Sequence, residues 1–525
     1  MKNFLIVAIL FFGCVLNLTA QQRFLSFESF YKEKFILNSG KNSIETFYPA
    51  NESQLNLHEL LKDTSKQYLN ISEYLFKHPV FQLNKEGASL TFHPYVHFAL
   101  GMNNFDSSET SWPLFRNTRG VFVEGEYAKI AFNFAFAENQ SGFQDYESAY
   151  FSSRGELYVR FEGYSRQNAV IPGGSRTKPF KEGAYDYAFS FGNIRFALSE
   201  KLEFELGNNQ HFIGNGYRSL LLSDNASYAP YTRIKWQIHP KWSYQLLYKK
   251  QLNLIRKPIT LAVESSYETK LFAASYLTFK PTEALSVSLF SGGNQLRDDS
   301  LVKKSFHPEQ IVPLPLFQND LLMNNSANVN GVTGLNIDYA RERTRWYGQV
   351  VVDKFGEQLL FAHQVGCYIK NPKKYKNTLL QIEWNSVPQN FYASSVYKLS
   401  YSHFNLPSAH PKGNNFNELF LKFTTEFYKR FYVTAKTSTY LTNGGTLDQQ
   451  FEANSIFTTE KSYVTKNGNT VVGALEVGWR FNKLYNGIFY VTYGGRAVDY
   501  GKFHPTNNYL LIGLKTSLIN EYFDF

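Results

Sequence analysis

One rhythm constrains this chain more than any other feature. From Leu90 onward, large apolar side chains recur at every second position, with small or polar ones between them. Leu90, Phe92, Pro94, Val96, Phe98 and Leu100 share one face of such a run; His93, His97 and Gly101 share the other. Later, Ile130, Phe132, Phe134 and Phe136 alternate with Ala131, Asn133, Ala135 and Ala137. A period of two belongs to a β-strand, whose side chains point alternately to opposite sides. Large apolar groups on one side and small or polar groups on the other suit a strand between lipid and an enclosed interior. Hydrophobic residues make up 43% of the chain, with 48 Phe and 36 Tyr, yet the mean hydropathy is negative. Apolar residues are therefore interleaved rather than gathered in blocks. After residue 20 no run reaches the ~18 apolar residues of a membrane helix, so any crossing is made by strands.

The connections follow a second pattern. Thr232–Ile238 and Trp242–Tyr248 read as a hairpin turning at His239-Pro240-Lys241. Leu271–Phe279 and Leu285–Leu289 read as another, turning at Lys280-Pro281-Thr282-Glu283, and two more turns fall near Ser199-Glu200-Lys201 and Ala340–Arg343. Long connections rich in Gly, Asn, Ser and charge are expected near 138–152, 163–183, 207–230, 292–331, 403–416 and 442–469. Short turns at one end and long loops at the other are the asymmetry of an outer-membrane barrel. A soluble β-sandwich has no reason to sort its loops this way. Aromatic girdles would account for tyrosines near strand ends. The expected fold is all-β: a large antiparallel transmembrane β-barrel of about 16–18 strands, with a short, partly helical N-terminal segment.

Residues 1–20 read as a secretory signal peptide, with Lys2 before the apolar stretch Phe4–Leu16 and small Ala20 before a cut. A lipoprotein reading through Cys14 is the lesser alternative. Residues 21–82 do not alternate; Leu55–Leu61 and Tyr68–Phe76 have helix-like spacing and suggest a segment packed on the barrel. Residues 83–525 form the barrel, ending in Tyr509–Leu518 and a final Phe525 that resembles a barrel-assembly signal. The mature chain keeps one cysteine, Cys367, so an internal disulfide is excluded and barrel closure must supply rigidity.

The densest run of glycine, amide, hydroxyl and charge is Gly207–Ala226. Its candidate residues are Asn209, Gln210, His211, Phe212, Gly214, Gly216, Tyr217, Arg218, Ser219, Ser223, Asp224 and Asn225. His211, Ser219, Ser223 and Asp224 are the residue types of a hydrolase, but nothing in their spacing guarantees a His–Ser hydrogen bond. Ties that hold a loop inside the barrel mouth are the preferred reading. Phe212, Tyr217, Tyr228 and Tyr231 beside Asn209, Gln210, Asn215 and Asp224 would also suit a sugar, with rings on its apolar face and polar groups on its hydroxyls. The glycine spacing lacks the GK[ST] of a phosphate loop. His93 and His97 lie ~13 Å apart along a strand, too far to share one metal ion. Arg154, Arg160, Arg166, Arg176, Lys178 and Lys181 surround Gly173-Gly174 and would attract anionic lipopolysaccharide or acidic polysaccharide. No clustered basic helix points to nucleic acid.

At Gly214-Asn215-Gly216 and the following Ser219–Ala226, the chain resembles the Wzi-type capsule-assembly outer-membrane barrels; Ile213 stands where that family usually has Trp. His211–Asp224 more closely resembles the RemB-type gliding-motility proteins of the same broad group. The resemblance implies a non-catalytic cell-surface barrel of the outer membrane, without cofactor or metal, involved in gliding motility. Its alternatives are attachment or assembly of capsule or exopolysaccharide, and a passive porin-like channel. The implied partners are outer-membrane lipid, lipopolysaccharide, and surface polysaccharide or motility proteins.

Overall fold

The computed structural model describes residues 29–50, 78–103, 114–256, 267–298, 329–442, 468–499 and 504–524, apart from positions 86, 161–162, 182, 373–374, 395 and 429 within them. The expected signal peptide, the two helix-like stretches at 55–61 and 68–76, and Phe525 lie outside the described residues.

Eighteen antiparallel strands form a closed barrel. The first, Ala88–Asn103, pairs with the last, Thr506–Thr516, through a register that includes Leu514 opposite Phe98. Closure leaves no wall strand with an unpaired edge. The alternation works as the sequence implies. In Ile130–Gly142, Phe134 and Phe136 face outward and stay exposed, whereas Ala131, Ala135 and Ala137 face inward and are fully buried. His93 and His97 both point inward but to different partners: His93 meets Glu124 at 3.3 Å and His97 meets the Tyr490 hydroxyl at 2.7 Å.

Both expected hairpins form, with Trp236 opposite Tyr244 and Leu277 opposite Leu289. At one end of the barrel the connections are short: 128–129, 198–201, 240–241, 280–284, 341–343, 371–377, 428–430 and 483–486. The other end carries the long connections, broken by one two-residue turn at 356–357. Two of the expected loops are parts of one connection, 143–183. Within it lie a helix, Asp145–Ser153, and a hairpin of Glu156–Arg160 with Gly163–Gln167. The loop expected at 403–416 begins earlier, after Val387, because Pro388 has no N–H for the ladder.

The aromatic belt at the short-turn end is mostly Trp and Phe. Trp236, Trp242, Trp346, Phe427, Phe431 and Phe489 are exposed there, with Tyr127, Tyr339 and Tyr428 among them. Far more tyrosines face inward than the girdle expectation allows: Tyr231, Tyr276, Tyr347, Tyr368, Tyr392, Tyr401 and Tyr440 are all buried. A phenol hydroxyl in lipid has no partner, whereas inside the barrel it can bond to backbone and side chains.

The interior is filled by the chain itself. The helix Ser29–Asn38 lies at the short-turn mouth: the Tyr31 hydroxyl donates to the Leu484 carbonyl at 2.8 Å, and Lys34 pairs with Glu426. At its far end Lys370 reaches the Gly40 carbonyl and the Ser43 N–H reaches that of Glu283. The chain then climbs inward, and Phe47-Tyr48 pairs with Phe212-Ile213. From the opposite end, 210–228 and 388–415 fold inward. Leu220, Leu221 and Leu222 form an apolar core with Phe272, Phe290, Val332 and Val351 of the wall and Phe391, Tyr392 and Tyr401 of the second loop. After the last strand, residues 517–524 also turn inward and line the interior.

Candidate functional site

The Gly207–Ala226 stretch hangs inside the barrel from the end of the strand Leu202–Asn209. Asn209 turns the chain inward by accepting the Gln210 N–H on its side-chain oxygen at 2.8 Å. The Gln210 amide spans the neck of the loop and donates to the Ala226 carbonyl at 2.7 Å. Phe212 and Ile213 then form their short ladder with the N-terminal segment. At Gly214 the backbone takes φ +115°, a conformation that side-chain-bearing residues rarely adopt, and a Cβ there would meet Gln349 Nε2 at 2.5 Å. Its N–H donates to the Thr46 carbonyl at 2.7 Å.

Asn215 bonds Asp338 at 2.9 Å, and the Tyr368 hydroxyl donates to its carbonyl at 2.9 Å. Gly216 is glycine for space, since a Cβ would meet Glu383 Oε2 at 2.6 Å. That carboxylate accepts the Tyr217 and Arg218 N–H groups at 2.7 and 3.1 Å and the Tyr347 hydroxyl at 2.8 Å. Lys32 of the N-terminal helix donates to the Gly216 carbonyl at 2.8 Å, with its ammonium over the Tyr48 and Phe212 rings. Burial pushes the Lys32 ammonium down to about 8, against the pull of Glu383 and Asp224.

Arg218 is the electrostatic centre of the loop and is 1% exposed. Its Nη2 meets Asp524 Oδ1 at 3.0 Å and donates to the Tyr440 hydroxyl at 2.8 Å; its Nε meets Glu418 Oε1 at 3.4 Å. The Tyr217 ring stacks on Phe420 at 3.9 Å between centroids, and its hydroxyl donates to Asp524 Oδ2 at 2.6 Å. Burial would raise the Asp524 carboxyl, but Arg218 and Lys436 outweigh it and hold it below the usual carboxylate range. A buried carboxylate so surrounded has the paired charges and hydrogen bonds that burial demands.

The hydroxyls act as structural ties. Ser219 Oγ donates to the Ile213 carbonyl at 2.6 Å and accepts the Leu221 and Leu222 N–H groups at 3.2 Å each. Ser223 Oγ donates to the Ala409 carbonyl, and Asn225 Nδ2 to that of Pro407 at 3.1 Å. Asp224 Oδ2 accepts Asn520 Nδ2 at 3.1 Å and the Tyr522 hydroxyl at 3.3 Å; Oδ1 has no partner among the described residues. Burial raises the Asp224 carboxyl, offset in part by those two donors. His211 is packed edge-on against Tyr231 and Phe47, and neither ring nitrogen has a hydrogen-bond partner among the described residues. Burial, then Lys249 and Arg233, push its imidazole well below the ordinary range. The structure therefore brings Ser219 and Ser223 to backbone carbonyls and His211 to aromatic rings, and forms no Ser–His hydrogen bond among the described residues.

Of the twelve candidate residues, only Tyr217 is part-exposed; the others are buried. Of the sugar-type set, Phe212, Tyr231, Asn209, Gln210, Asn215 and Asp224 are buried as well. Residues that complete the site come from far away in sequence: Lys32, Gln349, Glu383, Glu418 and Asp524. Gln349, for example, donates to the Ile213 carbonyl at 2.9 Å and accepts the Leu220 N–H at 2.7 Å. For Gln349, Glu383 and Glu418 the one local signal is an amide or acid at an inward position of an alternating strand; Lys32, on the N-terminal helix, and Asp524, after the last strand, carry no such signal. Of the basic set, Arg154 is buried over the Tyr150 ring, while Arg176, Lys178 and Lys181 are exposed at the long-loop end.

Beside this loop lies a cavity of about 340 Å³, between the inner segments and the wall strands from Phe416–Phe427 through Thr506–Thr516 to Leu114–Tyr127. Its lining runs from Arg480 and Asn486 near the short-turn mouth to Leu114 and Gln144 near the long loops. Among the described residues no group of three or more His, Cys, Asp or Glu is placed to hold a metal ion.

No protein-family model and no curated protein sequence matches this chain. Solved structures do. Wzi of Escherichia coli, described as an outer-membrane protein involved in group 1 capsule assembly and a carbohydrate-binding β-barrel, is 11% identical, with a TM-score of 0.52 over 94% of this chain and 99% of that one. A BenF-like porin from Pseudomonas fluorescens is 9% identical, with a TM-score of 0.42 over 82% of this chain and 98% of that one. Pseudomonas aeruginosa OprD is 10% identical, with a TM-score of 0.41 over 82% and 94%. The likeness to Wzi, nearly end to end in both chains, shows that this protein has the fold of an outer-membrane β-barrel.

Proposed function

We propose that this protein is a non-catalytic barrel of the outer membrane that attaches surface polysaccharide or helps to assemble it. The observation that carries this reading is the filled interior. Loops 210–228 and 388–415, the N-terminal segment and residues 517–524 occupy the space that a passive channel would leave to water. Four inward-folding segments tied to one another and to the wall make a rigid body rather than a conduit. Wzi, whose fold this chain shares, is described as carbohydrate-binding and involved in capsule assembly. The exposed Arg176, Lys178 and Lys181 add positive charge at the long-loop end, which barrels of this kind turn outward. There they favour contact with anionic lipopolysaccharide or acidic polysaccharide.

A second reading, gliding motility, is favoured by the run His211–Asp224, which is more like the RemB-type proteins than the capsule-assembly ones. The two readings meet in one experiment. Cells lacking the gene are compared with the parent for polysaccharide retained on washed cells and for spreading on a surface. Loss of retained polymer supports the first reading, and loss of spreading with polymer intact supports the second. Normal behaviour in both, together with large steady conductance of the purified barrel in planar bilayers, would leave the porin-like alternative standing instead.

A further inference from the structure

We infer that the cavity beside the buried loop is a binding site for a neutral, hydroxyl-rich saccharide. The inference rests on the proposed dealings of this protein with polysaccharide, and it names the class of sugar and a place for it inside the barrel.

Size comes first. At about 340 Å³ the cavity lies at the lower end of the ~300–1,000 Å³ typical of ligand sites, with room for a mono- or disaccharide. Charge comes next. Basic and acidic side chains line it in equal number, seven of each. Most are already committed to one another: Lys515 to Glu476 at 3.1 Å, Lys422 to Glu33 at 2.6 Å and Lys436 to Asp524 at 3.2 Å. A balanced lining offers no net attraction to a polyanion.

The groups left over decide the class. Asp224 is 4% exposed and lines the cavity, yet its Oδ1 has no partner among the described residues. Glu521 is exposed toward the cavity and makes no ion pair or hydrogen bond among the described residues. The hydroxyls of Tyr95 and Tyr509 are likewise without a partner there. Two of these four groups are acceptors only, and the phenols can act in either sense. Such a set calls for a ligand rich in O–H donors. A uronate carboxylate would set its own charge against Asp224 and Glu521. The ring of Tyr509 lies over Gly494, so an aromatic surface adjoins these acceptors. Rings take the apolar face of a sugar while the acceptors take its hydroxyls.

The test uses the full barrel in detergent micelles, with saturation-transfer NMR of glucose, maltose and glucuronate. Glucose or maltose should receive saturation, and glucuronate should bind at least tenfold more weakly. Ala474→Phe should abolish the transfer by filling the cavity: Ala474 lines it and shares the inward face of its strand with Val472 and Glu476. Glu521→Gln combined with Tyr509→Phe, which disturbs no hydrogen bond among the described residues, should weaken the neutral sugars about fivefold or more. Heat-dependent electrophoretic mobility checks that each variant barrel is folded. No transfer to either neutral sugar, equal transfer in a folded Ala474→Phe barrel, or glucuronate bound as tightly as maltose would each overturn the inference. Polymer retention by cells carrying Ala474→Phe separates the two proposals: retained polymer with lost maltose binding leaves the surface function standing and confines the sugar site to the cavity.

Discussion

The two sides of the interior differ in kind. On one side, Leu220, Leu221 and Leu222 press against Phe272, Phe290, Val332 and Val351, and the space is full. On the other, Lys422, Lys436, Glu476 and Lys515 face the same loop across an open cavity. The wall is built alike on both sides; only the choice of inward side chain differs. Apolar inward residues let a returning loop dock by burying hydrocarbon, at ~25 cal/mol per Å² of apolar surface. On the open side Lys422, Lys436 and Lys515 pair with Glu33, Asp524 and Glu476, and a gap remains beside the loop. The loop is fastened to the full side by packing and by polar ties to Gln349 and Asp338, and to the open side by the ties of Tyr217 and Arg218 to Glu418, Tyr440 and Asp524.

The sharpest break of that arrangement should come from Arg218→Met. Arg218 is fully buried and serves Asp524, Glu418 and Tyr440 together. Removing one partner of a buried ion pair costs about 3–5 kcal/mol, because the other is left uncompensated. Urea unfolding in detergent should show a loss of that order. Limited proteolysis should find cleavage within 210–228 while the wall stays resistant, because closure does not depend on the loop. A variant as stable and as protease-resistant as the parent would mean that the polar ties are incidental.

Leu221→Ala tests the packed side. Leu221 is fully buried at the centre of the apolar core, so the substitution should cost about 2–5 kcal/mol through lost burial and a new cavity. Thr434→Ala, whose side chain faces the cavity and is part-exposed, should stay within about 1 kcal/mol. Equal effects at the two positions would erase the distinction between a full side and an open one.

This division also explains what could be read from the chain. The wall was legible because lipid on one face forces a period of two, and Ile130–Gly142 shows it without exception from Phe132 to Phe136. The sorting of short turns and long loops was legible for the same reason. The filling was not. The loops 210–228 and 388–415 have no period, and their partners lie far off: Arg218 meets Glu383, Glu418 and Asp524 across 165, 200 and 306 residues. The glycines and hydroxyls marked Gly207–Ala226 as a device, but residue types alone do not separate a loop at the rim from one inside. The helix Ser29–Asn38 escaped notice because its buried residues, Phe30, Tyr31 and Ile36, leave only a weak helical stripe. Tyrosine was misplaced because its ring suits a lipid girdle as well as an interior; only the fate of the hydroxyl separates the two.

Asp524 gives the polar ties a dependence on pH. Its carboxyl is held below the usual range by Arg218 and Lys436 in spite of burial. Its ordinary value is about 3.9. A carboxyl with a lowered folded value contributes stability that is present above the ordinary value and is lost as pH falls toward the lowered one. Asp524→Asn should therefore destabilise the barrel at pH 7 by about 1.5–3 kcal/mol, the range for hydrogen bonds to a charged group. The gap between parent and variant should narrow steadily below about pH 4. A gap unchanged from pH 7 to 3 would show that the charge of Asp524 plays no part.

The smaller of the two charge effects on that carboxylate should come from its second cation. Lys436 meets Asp524 Oδ2 at 3.2 Å but is 30% exposed to the cavity, whereas Arg218 is sealed from solvent. Water in the cavity screens the lysine and can replace it, so Lys436→Met should cost no more than about 1 kcal/mol, as exposed pairs do. Salt should reduce even that, while leaving the Arg218→Met effect nearly unchanged. One carboxylate thus reports both environments, and a double-mutant cycle of Asp524→Asn with each cation measures the difference. Coupling to Lys436 as large as to Arg218, and as indifferent to salt, would mean that the cavity holds too little water to screen charge, and the two sides of the interior would then be electrostatically one.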